Sequence, residues 1–175
     1  RVHINLGNFE EAKKCLYACI ESAKVINDQM GISIDKGWLS FVYEQEGNTD
    51  KAFEYINVAV DVAREKQQMY ELAFWLTEKS RYLYRFVKGN DFKPAQQKEY
   101  LEEAIQAIDE VLNIIETAQL ANMKEVAELL KSQLLFEANA SNAPACYDLI
   151  PTVQTLLENE NLSEELIICI HFTLW

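Results

Sequence analysis

The stretch Leu6-Gly7-Asn8-Phe9-Glu10-Glu11-Ala12-Lys13-Lys14-Cys15-Leu16 returns forty residues later as Glu46-Gly47-Asn48-Thr49-Asp50-Lys51-Ala52-Phe53-Glu54-Tyr55-Ile56. Gly7 maps to Gly47, Asn8 to Asn48, Ala12 to Ala52, Leu16 to Ile56 and Ala23 to Ala63, all at that one offset. A fixed period of this size marks a solenoid, in which each unit buries its apolar face only by stacking on its neighbours. Such arrays mostly offer surfaces rather than enclosed chemistry, so the echo constrains function as well as fold.

Composition makes the array helical. Gly (5) and Pro (3) are scarce among 175 residues, and 49% of the chain is hydrophobic, so a continuous core is available. Apolar spacing and breakers place helices over about 9–27, 30–46, 49–67, 69–88, 95–118, 120–138, 145–159 and from 164 onward. Residues 1–6 read as the tail of a truncated helix. Asn8 stands as an N-cap with Glu11 three residues on, the pattern of a capping box. Pro94 suits the opening of its helix, and Ala140-Ser141-Asn142-Ala143-Pro144 is the clearest loop. The inner face of the first full helix is expected to hold Ala12, Leu16, Cys19, Ile20, Ala23 and Ile26. The helix over 95–118 exceeds its counterparts, which points to an insertion. One domain, 1–175, is expected, with approximate units 1–28, 29–68, 69–118 and 119–160 and a further helix over 163–175. The chain lacks an initiator Met and reads as a piece of something longer.

The net charge of −12 disfavours nucleic acid and anionic membranes, both polyanions, and suits a basic or neutral peptide. No apolar run is long enough to span a bilayer. Cys15, Cys19, Cys146 and Cys169 show no Cys-x-x-Cys pattern. Cys15 and Cys19 lie one turn apart, a poor geometry for a disulfide. They read as small buried hydrophobes in a reducing, cytoplasmic compartment. His3 and His171 stand alone, no Gly-rich phosphate loop occurs, and no nucleophile, base and oxyanion site assembles. No cofactor, metal or enzymatic role is expected.

The second unit resembles the tetratricopeptide repeat. Leu39-Ser40, Tyr43, Gly47, Ala52, Ile56 and Ala59 stand at that family's spacing, with Ser40 replacing the usual Gly and Lys36 at a position where a large apolar residue is common. The first unit keeps Gly7, Ala12, Leu16 and Cys19 of the same frame. Ser80 aligns with Ser40 at the forty-residue offset. The forty-residue length is similar to the long repeats of bacterial signalling regulators and of motor-protein light chains. The segment from Ala23 to Ile32 looks most like the bacterial kind.

The resemblance implies an all-α right-handed solenoid of about four repeats, and a noncatalytic protein or peptide interaction module of a larger intracellular, bacterial signalling or regulatory protein. The alternative is a peptide- or ligand-sensing domain controlling an attached transcription factor, kinase or nucleotide cyclase. In the family, the first helix of each unit lines a concave groove. That places Ile34, Gly37, Trp38, Phe41, Glu44 and Gln45, then Phe74, Thr77, Glu78, Arg81, Tyr84 and Arg85, along it. Trp38, Phe41, Gln45, Arg81 and Arg85 are the binding candidates. Two readings stay open for each type. Trp38 and Phe41 either meet a partner or pack on the adjacent helix. Arg81 and Arg85, with Lys79 and Lys88 nearby, either hold a carboxylate or pair with Glu44 and Glu78 on a solvated face. The apolar run of Ile167, Ile168, Ile170, Phe172, Leu174 and Trp175 suggests self-association through an uncapped solenoid end.

Overall fold

The structure is a computed structural model that describes residues 7–90 and 92–138. Every regular element among these is helical: α1 (Phe9–Val25), α2 (Gln29–Gln45), α3 (Thr49–Glu65), α4 (Met69–Gly89), α5 (Pro94–Ala118), a 3₁₀ turn (Ala121–Met123) and α6 (Lys124–Ala138). The expected helices over 145–159 and from 164, the 140–144 loop, the apolar run after Ile167, Cys146, Cys169, His3 and His171 lie outside the described residues.

The repeat is written in the backbone at twice the frequency seen in the sequence. Helices α1, α2 and α3 each have 17 residues and start twenty residues apart. After them stand residues with positive φ, Asn27, Gly47 and Gln67, also twenty apart. Each ends its helix the same way. The N–H of Asn27 bonds to the Lys24 carbonyl and that of Asp28 to the Ala23 carbonyl. Gly47 and Asn48 repeat this onto Glu44 and Tyr43, and Gln67 and Gln68 onto Arg64 and Ala63. These are Schellman closures, in which a left-handed residue turns the chain and satisfies two orphan carbonyls.

The next helices start where those closures end. Asp28 Oδ1 accepts from the Gly31 N–H at 2.9 Å and Asn48 Oδ1 from the Lys51 N–H at 3.3 Å. Asp28 therefore opens α2 as well as closing α1. The capping box expected at Asn8 does not form: the Asn8 side chain makes no capping bond. The Glu11 carboxylate instead sits 3.3 Å from the Lys14 ammonium.

The chain divides into two compact units, Arg1–Tyr82 and Leu83–Trp175. In the first, α1 packs on α2 and α2 on α3. Leu39, Val42, Ile56, Ala59 and Ala63 reach 0% exposure there. The small side chains at Ala52, Ala59 and Ala63 let helix axes approach, and the larger Ile56 fills the remaining space. In the second unit α5 packs on α6 around Ala104, Ile108, Val111 and Leu134. The Lys131 ammonium reaches Asp109 at 2.7 Å across that pair. Phe86, Phe92 and Tyr100, with ring centroids 5.0–5.3 Å apart, pin the connection from α4 to α5. The insertion is explicit: α5 has 25 residues. Helices that pack on their chain neighbours in this way have the architecture of a tetratricopeptide-like solenoid.

The cysteines correct the expectation drawn from sequence. Cys15 and Cys19 are exposed rather than buried. The buried stripe of α1 is Ala12, Leu16, Ile20 and Ala23, the side that meets α2. Cys19 lies beside that stripe and not in it. Ile26, also expected inward, is 74% exposed because the helix has already ended at Val25.

Candidate partner-binding face

Within the first unit, α2 and α4 meet along a seam of small residues. Gly37 is buried, and a Cβ placed on it would lie 2.5–2.8 Å from three carbons of the Trp75 ring. Trp75 itself is 2% exposed. One turn on, Ser40 Oγ donates to the Gly37 carbonyl at 2.6 Å and lies 3.1 Å from Tyr82 Oη. Ser40 and its aligned counterpart Ser80 are both at 0% exposure. The absence of a side chain at Gly37 is therefore what allows the indole to lie against the α2 backbone.

Aromatic rings crowd the edge of this seam. Trp38 stacks on Phe41 at 5.3 Å, stands 6.0 Å from Phe74 and meets Trp75 edge-on at 5.8 Å. Phe74 contacts Trp75 at 4.7 Å and Phe41 meets Tyr82 edge-on at 5.7 Å. These offset and edge-to-face pairs suit the ring quadrupoles. Trp38, Phe41 and Phe74 stay half-buried, so each packs on a neighbouring helix and keeps surface that another molecule can reach. Gln45 is exposed in the last turn of α2. Three other residues expected along the groove lie inside instead. Gly37 sits under Trp75, Thr77 is buried and donates to the Ala73 carbonyl at 2.8 Å, and Glu78 is buried.

Arg81 donates to Glu78 Oε1 at 2.8 Å; the Glu78 side chain is 8% exposed and that of Arg81 29%. The buried carboxylate needs a cation, and the arginine one turn along supplies it. Arg85, one further turn along α4 and in the second unit, is exposed. There Lys88 bonds to Glu137 at 3.1 Å, and that contact raises the Lys88 ammonium pKa. Burial, reinforced by the Glu137 charge, pushes the Tyr84 hydroxyl up.

The first unit also holds a polar cluster that sequence spacing does not reveal. Tyr17 Oη lies 2.7 Å from Tyr43 Oη and 3.5 Å from Tyr55 Oη, tying α1 to α2 and α3. Lys51 Nζ stands 4.8 Å from the Tyr43 ring centroid, within cation–π range. Lys13 bonds to Glu46 and Glu10, each at 2.7 Å. Burial and the Tyr17 hydrogen bond push the Tyr43 hydroxyl up to about 12. Nothing in the linear separation of residues 17, 43 and 55 announces the cluster; it follows from helix pairing.

A depression of about 480 Å³ over the turn from α2 to α3 is lined by Glu46, Gly47, Asn48, Thr49 and Asp50. No group of three His, Cys, Asp or Glu able to hold a metal occurs among the described residues. No helix among them is long and apolar enough to cross a membrane.

Residues 1–25 match the tetratricopeptide repeat family. The helices after that match start at the same twenty-residue interval, and tetratricopeptide repeats bind protein partners. No curated protein matches the sequence closely enough to be compared with it.

Proposed function

We propose that this chain is a noncatalytic module that binds a protein or peptide partner through the aromatic face of α2 and α4. Trp38, Phe41 and Phe74 supply the apolar contact, and Gln45 and Arg81 flank it. The observation that carries this reading is the partial exposure of the three rings: a solenoid that needed them only as core would bury them fully, as it does Trp75. Arg81 orients an acidic group or a carboxylate of the partner.

The setting is a cytoplasmic regulatory or signalling protein of a bacterium, a reading supported by the forty-residue repeat and the segment from Ala23 to Ile32. The apolar run from Ile167 to Trp175 supports self-association as well, which light scattering over a concentration series tests.

Peptides selected from a displayed library against the 175-residue chain, then measured by calorimetry, test the main reading. Phe74→Ala and Trp38→Ala should each weaken the selected peptide by on the order of 2 kcal/mol, about 30-fold, as central aromatic anchors do. Unchanged affinity in variants with native circular dichroism overturns it.

A further inference from the structure

Free cysteine is among the most buried residue types, yet Cys15 and Cys19 are both exposed on α1. Neither belongs to the buried stripe of that helix, so packing does not account for them. They stand one helical turn apart. Their side chains leave the same side of α1, with Cβ atoms about 5–6 Å apart. A disulfide requires a Cβ separation of about 3.5–4.5 Å. The helix runs unbroken from Phe9 to Val25 across both positions, so it holds the pair as a dithiol.

A larger atom placed between the sulfurs removes the conflict. With metal–sulfur bonds of about 2.3 Å, one ion bridges two opposed thiolates about 4.6 Å apart. That separation is accessible from neighbouring turns once the two χ1 angles are chosen. We propose that Cys15 and Cys19 form a two-coordinate binding site for a soft monovalent cation, Cu(I).

The ligand count selects the ion. No third His, Cys, Asp or Glu joins the pair in a metal-holding group among the described residues. Structural Zn(II) takes four ligands, and Ca(II) and Mg(II) take oxygen. Thiolates select Cu(I), and two of them suffice for it. On binding, each thiol gives its proton to solvent and its sulfur lone pair to the ion. Two S–H bonds are exchanged for two S–Cu bonds, and neither sulfur nor copper changes oxidation state.

The test is an anaerobic titration of the reduced 175-residue chain carrying Cys146→Ser and Cys169→Ser, with Cu(I) supplied against a chromogenic chelator. One equivalent should bind. Adding either Cys15→Ser or Cys19→Ser should weaken it by about 100-fold or more, because the second thiolate acts at high effective concentration only when both are present. Both positions are exposed, so helicity should not change. Cu(I) affinity that survives either substitution overturns the proposal, as does Zn(II) held as tightly as Cu(I).

Discussion

The indole of Trp75 lies against the backbone of Gly37, so close that a Cβ on Gly37 would fall 2.5 Å from Trp75 Cη2. This contact sets how near α4 comes to α2, and the half-buried rings of Trp38, Phe41 and Phe74 are arrayed along its edge. Gly37→Ala should therefore destabilise the chain by about 1–3 kcal/mol, the usual cost of overpacking. In a Trp75→Leu background the same change should cost far less. There the ordinary helical preference for Ala over Gly, roughly 0.5–1 kcal/mol, works in its favour. Denaturant unfolding of the four proteins in this cycle gives the coupling directly. Additive effects would show that the close approach is not the constraint.

The Schellman turns give a pair of substitutions with opposite signs. Gly47 has φ +74°, and a Cβ added there would meet no atom within 4 Å, so Gly47→Ala tests the backbone alone. It should cost about 1 kcal/mol, the penalty of a left-handed L residue. Gln67, at φ 55°, already bears that penalty. Gln67→Gly should stabilise by some tenths of a kcal/mol up to about 1. Thermal unfolding checks both. A stabilising Gly47→Ala would contradict the turn assignment.

Arg81 has a structural partner as well as a proposed binding role. Arg81→Ala leaves the Glu78 carboxylate, 8% exposed, without its 2.8 Å contact. Because the guanidinium is itself partly exposed, the loss should be about 1–2 kcal/mol, below that of a fully buried pair. Arg81→Ala with Glu78→Gln should recover part of it. No recovery in a denaturant titration would mean that the pair carries no stability.

The tyrosine cluster makes stability depend on pH at the alkaline end. Burial and the Tyr17 hydroxyl raise the Tyr43 hydroxyl from its ordinary 10 to about 12 in the folded chain. A group raised in this way favours the folded state below pH 10, and its contribution disappears as pH climbs from 10 toward 12. Unfolding free energy should fall over that window, and Tyr43→Phe should flatten the fall. An identical slope in the variant would remove Tyr43 from the account.

The forty-residue echo of Gly7-Asn8 at Gly47-Asn48 is enough to read the helices and their order, because glycine marks the turns that need positive φ. The twenty-residue half-period is not legible. At the alternate turns Asn27 and Gln67 adopt the same conformation without a glycine to announce it. Periodicity places Trp38 and Phe41 on α2, but how far each is covered depends on Phe74 and Trp75, which belong to another helix. Gly37 and Glu78 fall on the expected groove for the same reason: spacing along one helix gives a direction, and the neighbour decides whether that direction is solvent. The exposure of Cys19 follows equally from α2, whose contact selects Leu16 and Ile20 instead.

The most direct measurement is fluorine NMR of the chain labelled with 5-fluorotryptophan, which carries three tryptophans, Trp38, Trp75 and Trp175. The Trp38 resonance is assigned by its loss in Trp38→Phe. On addition of a selected peptide, the Trp38 signal should shift and lose solvent accessibility, while the buried Trp75 signal moves less. Saturable peptide binding that leaves the Trp38 resonance unmoved would contradict the assignment of the aromatic face as the partner site.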